Sequence, residues 1–304
     1  MSERVAAVDC GTNSIRLLVA DRDGGRLTDL VRRMEIVRLG EGVDATGMLA
    51  PQAIERTRVA LTDYAGQIRE LGAEKVRMVA TSASRDAGNA ADFRAMVLDV
   101  LGAEPEVITG DEEAALSYAG AVEGLPAELA PPYLVVDIGG GSTEFVLGDG
   151  HAEHAISVDI GCVRMTERYL HTDPPTDAEI TAAQAHVTEV VDRALAAVSG
   201  ARTGTLIGLA GTVTTVAGIA LGLAEYDSTR IHHARVDADQ VARISAELLS
   251  QTREQRSAIG VMHPGRVDVV GAGALILRTV LDRAGCDRLI ASEHDILDGI
   301  ALSL

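Results

Sequence analysis

The apolar positions of the chain fall into short runs around small polar turns, separated by longer amphipathic stretches. Val5-Ala6-Ala7-Val8 leads into Asp9-Cys10-Gly11-Thr12-Asn13-Ser14, and Ile15-Arg16-Leu17-Leu18-Val19-Ala20-Asp21 follows. Two apolar runs flanking such a turn predict a β-hairpin. The same grammar returns at Leu134-Val135-Val136, Asp137-Ile138-Gly139-Gly140-Gly141-Ser142 and Thr143-Glu144-Phe145-Val146-Leu147. A shift of 128 positions superposes Val8 on Val136, Asp9 on Asp137, Gly11 on Gly139, Ser14 on Ser142 and Asp21 on Asp149 without a gap. That is an internal repeat of domain size. Two unrelated hairpins with similar turn chemistry are the plainer alternative. Under the repeat, each half opens with one hairpin.

Between the hairpins, Ile54, Ala60, Leu61, Tyr64, Ile68 and Leu71 have helical spacing, so a helix is predicted over 51–71 with Gly72 as its C-cap. A strand over 76–80, a helix over 92–101, a short strand over 106–108 and a helix over 112–123 follow. This alternation is that of an open α/β sheet. Residues 123–132 carry Gly124, Pro126, Pro131 and Pro132 and make the best boundary. Beyond it the alternation resumes, with a long helix over 177–199, a strand over 205–209, helix around 238–251 and an apolar run over 267–281. Domains are therefore expected at residues 1–124, with 296–304 packing back on them, and at residues 125–295.

Composition narrows the function. At 304 residues, 47 % hydrophobic but 2 % aromatic and without tryptophan, the chain can bury two cores built from Val, Leu, Ile and Ala. No run of about 18 apolar residues suggests a membrane span, and no secretory leader is visible, so a cytoplasmic protein is expected. Cys10, Cys162 and Cys286 are odd in number and lack CxxC spacing, which fits reduced thiols rather than a zinc site. A net charge of −18 speaks against a broad nucleic-acid surface, so a polyanion would need a local cationic pocket. Lys75 is the only lysine. Arginine, whose planar fork matches phosphate oxygens, carries nearly all the positive charge, although base composition of the genome explains that equally well.

Both polar turns have the makings of phosphate cradles: glycines allow backbone N–H groups to approach an anion, and Thr12, Ser14, Ser142 and Thr143 add hydroxyls. The competing explanation for Gly139 to Gly141 is a hairpin turn that needs positive φ. A Walker A loop is excluded, because the single lysine follows Glu74. Thr109-Gly110-Asp111-Glu112-Glu113 is an acidic turn entering a helix. Thr109 and Glu112 have capping-box spacing, and a carboxylate here could instead orient water beside phosphorus.

Asp9 to Arg16, Thr81-Ser82-Ala83-Ser84-Arg85, Gly110-Asp111-Glu112-Glu113-Ala114, Asp137 to Glu144, Leu209-Ala210-Gly211-Thr212 and Arg266-Val267-Asp268 through Gly273 occur in order. This ordered set resembles the exopolyphosphatase and guanosine pentaphosphate phosphohydrolase (Ppx/GppA) family over essentially the whole chain. The resemblance implies an α/β fold of two related actin-like (ribonuclease H-like) domains with a cleft between them. It implies that Glu113 activates the attacking water, that Asp137 and Glu144 hold Mg²⁺, with Mn²⁺ as the alternative, and that Glu112 keeps the capping role. Asn13, Ser14, Gly139, Gly140, Gly141 and Ser142 would bind phosphate, with Arg16 and Arg85 supplying positive charge and Arg266 a weaker candidate. Because Glu144 stands where the first turn has Arg16, metal is expected on the Asp137 side and charge neutralisation on the Asp9 side.

The implied reaction is hydrolysis of the terminal phosphate of inorganic polyphosphate. Its nearest rival is pppGpp 5′-phosphohydrolysis, and a nucleotide-gated switch protein without hydrolysis or a small-molecule kinase stand further off. Leu209 to Thr212 resembles an adenosine loop, or is a plain strand-to-helix turn. His232, His233, His263 and His294 lack metal-ligand spacing and are expected on loops or the surface. Longer relatives carry a C-terminal helical extension, so this shorter chain is expected to favour short polyphosphates. Relatives are commonly homodimers, and no nucleic-acid or membrane partner is expected.

Overall fold

A computed structural model of the protein describes residues 2–198 and 204–304; Ser199, the last position of the helix expected over 177–199, lies outside them. The chain forms two compact units, Met1–Gly120 with Ile296–Leu304, and Ala121–Asp295.

The first unit opens with β1 (Glu3–Cys10), β2 (Ser14–Asp23) and β3 (Arg26–Ile36), a three-stranded antiparallel meander rather than the single hairpin expected. The third strand escaped because its sequence, Arg-Leu-Thr-Asp-Leu-Val-Arg-Arg-Met-Glu-Ile, is that of an exposed edge, where charge replaces apolar alternation. After α1 (Val43–Thr46) and α2 (Pro51–Leu71) the chain adds β4 (Lys75–Ala80), α3 (Ser82–Asp86), α4 (Ala90–Leu101), β5 (Glu106–Val107) and α5 (Gly110–Val122). The sheet order is β3-β2-β1-β4-β5, with β4 parallel to both neighbours.

The central strand β1 is buried on both faces, and its alternation divides two cores. Ala6, Val8 and Cys10 join Leu61, Tyr64, Phe93 and Val97 of α2 and α4. Val5 and Ala7 join Leu116 of α5 together with Ile296, Leu297 and Ile300. Helix α2 forms as its spacing predicts: Pro51 occupies the first turn, the Ala53, Thr57, Leu61, Tyr64, Ile68 stripe is buried, and Gly72, left-handed at φ 69°, donates to Ile68 and Arg69 carbonyls. Leu61, fully buried in that stripe, contributes about 2 kcal/mol.

The second unit repeats the plan. β6 (Tyr133–Ile138), β7 (Thr143–Gly148) and β8 (Ala152–Val158) form another antiparallel meander, followed by α6 (Cys162–Tyr169), α7 (Asp177–Val198), β9 (Thr205–Leu209), α8 (Ala210–Ala220), α9 (Ser228–Ile231), β10 (Arg235–Asp237), α10 (Ala238–Ser250), α11 (Arg253–Ser257), α12 (Val270–Ala284) and β11 (Arg288–Ala291). Its sheet runs β10-β11-β9-β6-β7-β8. Reading from β8, the order is that of the first sheet with β10 added at the edge, so the repeat seen in the two turns extends to whole sheets. The last helix, α13 (Ile296–Leu302), returns to the first unit. It packs closely there: a Cβ on Gly299 would lie 2.0 Å from the Leu116 carbonyl oxygen, and Arg32 of β3 forks onto buried Asp298.

Candidate active site

The two polar turns close alike. In the first, Gly11 N–H donates to the Ser14 carbonyl at 2.9 Å; in the second, Gly139 N–H donates to Ser142 at 3.0 Å. Neither Gly11 nor any of Gly139, Gly140 and Gly141 has positive φ, so turn geometry does not explain the glycines. Close packing does. A Cβ on Gly139 would stand 3.1 Å from the Ser142 carbonyl oxygen. On the other side, a Cβ on Gly161 would lie 2.4 Å from the Gly140 carbonyl carbon.

The carbonyls of the second turn are all occupied. Gly139 accepts from Cys162 N–H at 2.9 Å, Gly140 from Val163 at 2.9 Å and Arg164 at 3.1 Å, and Gly141 from Arg164 Nε at 2.8 Å. The start of α6 thus finds its hydrogen-bond acceptors in the turn, instead of in a capping side chain. In a trans peptide the N–H points opposite to the carbonyl, so the N–H groups of Gly140, Gly141 and Ser142 face away from α6. Convergent N–H groups of this kind suit an anion.

The first turn is held the same way by the segment after β3. Thr12 accepts from Gly40 N–H at 2.8 Å, and Asn13 from Val37 and Arg38 at 3.1 and 2.9 Å, which turns the Asn13 and Ser14 N–H groups outward. Arg56 of α2 fastens that segment through the Val37 carbonyl at 2.8 Å. Thr12 Oγ1 also pairs with Ser82 Oγ at 3.0 Å, tying in the turn that follows β4.

Charge separates the two turns. Asp9 faces Arg16 across β1 and β2, and Asp137 faces Glu144 across β6 and β7, in identical register. Arg16 donates to Asp9 Oδ2 from Nε at 3.0 Å and Nη2 at 2.6 Å, a largely buried ion pair. At the second turn, two carboxylates, 7 and 1 % exposed, share one face of the sheet. Glu144 accepts from Ser157 Oγ of β8 at 2.8 Å. Like charges directly opposite one another in a sheet are unfavourable, and a divalent cation relieves them. Among the described residues no group of three or more His, Cys, Asp or Glu side chains is arranged to hold a metal. Asp137 and Glu144 offer carboxylate oxygens, the donor type that hard divalent cations take.

Glu113, 8 % exposed, lies in the first turn of α5. Its N–H donates to the Thr109 carbonyl at 2.9 Å, and Arg85 Nη1 reaches its Oε2 at 3.3 Å while donating to the Ile108 carbonyl at 2.9 Å. Arg85 therefore holds the end of β5 and the Glu113 carboxylate together. Val5 and Ala7 share the face of the sheet on which α5 packs, and alternation puts Asp9 on that face as well. The Thr109 hydroxyl accepts from Glu112 N–H at 3.2 Å, half of a capping box. The Glu112 carboxylate pairs instead with Arg77, a half-buried guanidinium, at 2.8 Å.

Leu209 to Thr212 is a strand-to-helix turn between β9 and α8, with Ala210 left-handed at φ 66°. Gly211 packs against Arg266: a Cβ there would lie 2.3 Å from the guanidinium carbon. Arg266 is thus placed beside this turn in the second unit. The His232 and His294 rings, 4.3 Å apart, and His232 and His233, 3.6 Å apart, form a stack. Burial pushes the Cys162 thiol up to about 11, so it is protonated at neutral pH. Sequence reasoning did not single out Gly161, Arg164, Ser157 or Arg56; the Gly at the head of α6 was the signal available.

An α/β duplication with an acid-bearing turn at the same place in each half defines a phosphoryl-handling protein of the actin-like, ribonuclease H-like fold. The comparisons agree. The Ppx/GppA phosphatase family matches residues 18–304, and the chain belongs to that family. It is 53 % identical to Exopolyphosphatase 2 of Mycobacterium tuberculosis, over 99 % of this chain and 98 % of that protein. Among solved structures it resembles an exopolyphosphatase-like protein (43 % identity, TM-score 0.97, 99 and 97 % of the two chains). It also resembles the Aquifex aeolicus Ppx/GppA family member (32 % identity, TM-score 0.84, 100 and 97 %).

Proposed function

We propose that this protein is an exopolyphosphatase that removes the terminal phosphate of inorganic polyphosphate, favouring short chains. The observation that carries the reading is the 53 % identity to an exopolyphosphatase along nearly the full length of both chains. In this reading Glu113 orients a water and takes its proton as the water oxygen bonds to the terminal phosphorus. The bridging P–O bond breaks, and the shortened polyphosphate leaves with the electron pair. Arg85 keeps the Glu113 carboxylate in place. In the second unit the outward N–H groups of Gly140, Gly141 and Ser142 take phosphate oxygens, and in the first unit those of Asn13 and Ser14 do. Arg16, paired with Asp9, and Arg85, paired with Glu113, supply positive charge. Asp137 and Glu144 would hold Mg²⁺ or Mn²⁺, which when bound neutralises phosphoryl charge and polarises the P–O bond. A homodimer acting in the cytoplasm belongs to the same reading.

Replacing Glu113 by Gln is expected to cut orthophosphate release from tripolyphosphate about a thousandfold while sparing its binding. Unaltered turnover in that variant would remove Glu113 from the mechanism. The family name also covers pppGpp hydrolysis, which would use the same turns. Parallel turnover of tripolyphosphate, long polyphosphate and pppGpp separates the two, with the highest kcat/KM expected for the short polymer.

A further inference from the structure

The two turns differ in how their last carbonyl is held. In the first, backbone N–H groups of Val37, Arg38 and Gly40 satisfy both Thr12 and Asn13. In the second, backbone N–H groups satisfy Gly139 and Gly140, but Gly141 is held by a side chain, Arg164 Nε at 2.8 Å. The Gly141 carbonyl belongs to the same peptide as the Ser142 N–H, so whatever fixes the one aims the other. We propose that Arg164 is a positioning residue for phosphate binding: it locks the Gly141–Ser142 peptide so that the Ser142 N–H meets a substrate phosphate oxygen.

Two observations support this. Arg164 is 13 % exposed, so its direction is set by packing. Its own backbone N–H, at 3.1 Å from the Gly140 carbonyl, binds the adjacent peptide of the same turn. One residue thus grips two consecutive peptides, and the close approach enforced by Gly161 leaves the turn no room to retreat toward α6. Lysine cannot replace it, since its donors are all at the tip of the chain whereas the contact here comes from Nε, partway along.

The proposal rests on the polyphosphate reading for its catalytic consequence, but pyrophosphate binding tests it without turnover. Arg164→Met, Arg164→Lys and the control Arg193→Met, an exposed residue of α7 paired with Glu189, are compared with wild type by calorimetric titration of pyrophosphate and by tripolyphosphate kinetics. Both Arg164 variants are expected to raise the pyrophosphate Kd and the KM about tenfold or more, leaving the metal activation constant unchanged. The control should match wild type. A short guanidinium compound added to Arg164→Ala is expected to recover part of the affinity. Wild-type pyrophosphate affinity in Arg164→Met would overturn the proposal. So would full recovery in Arg164→Lys, which would show that charge, and not the grip on Gly141, is what counts. Should Arg164→Met not fold, the Lys and Ala variants still decide. A wild-type protein that binds pyrophosphate yet hydrolyses no polyphosphate would refute the functional reading and leave this comparison standing.

Discussion

The turn after β1 and the turn after β6 are built to one pattern, yet carry opposite electrostatics. Both follow a strand whose penultimate residue is Asp, both fold back through an N–H to carbonyl bond four residues wide, and both hand their carbonyls to the segment after the third strand. Across from the Asp, however, the first has Arg16 and the second Glu144. The first is a largely buried ion pair, whereas the second sets two buried carboxylates opposite one another. One scaffold occurs twice, and a single position gives the two copies different charge.

The most severe way to erase that difference is Glu144→Arg, which gives the second turn the charge pattern of the first. Phosphate release is expected to fall about a thousandfold with far-UV circular dichroism unchanged. Substantial activity in this variant would mean that metal is held elsewhere.

The next test concerns the supports. A Cβ at Gly161 meets the Gly140 backbone at 2.4 Å, whereas a Cβ at Gly40 meets the Thr12 side chain at 2.3 Å. Backbone cannot rotate away and a side chain can. Gly161→Ala should therefore reduce kcat/KM about a hundredfold by displacing the turn, and Gly40→Ala clearly less. The reverse order would show that the first turn is the more exacting.

The smallest effect appears in stability. Arg16→Met strands the buried Asp9 carboxylate, and about 3 kcal/mol of unfolding free energy should be lost, read from urea midpoints. Glu144→Gln in metal-free protein removes like-charge repulsion instead, so its midpoint should stay level or rise. Equal losses in both would mean that the Asp137 and Glu144 carboxylates are not repelling one another.

The sequence carried the parts whose information is local. Helix α2 was legible end to end because Pro51, the Leu61 and Tyr64 stripe and Gly72 all act within a few residues. The two turns were legible because a repeat states its own alignment. Strands β3 and β8 were not, since they lie at or near a solvent-facing edge, where period-2 alternation is blurred by charge. Helix α6 is short and begins without a side-chain cap; its acceptors come from a turn more than twenty residues earlier. Arg164 was invisible for the same reason. Its partner, Gly141, is 23 residues away, and nothing local marks it as more than a helix-surface cation. The site residues named from the family motifs needed that resemblance, because Glu113 alone reads as an acid in a first helical turn.

The division of labour between the turns can be read directly by titrating Mn²⁺ into pyrophosphate-loaded protein and following free Mn²⁺ by electron paramagnetic resonance. Wild type and Asp9→Asn are expected to bind the ion, with Asp137→Asn and Glu144→Gln weakened about tenfold or more. Full Mn²⁺ affinity in Asp137→Asn together with its loss in Asp9→Asn would place the metal on the first turn and contradict the account.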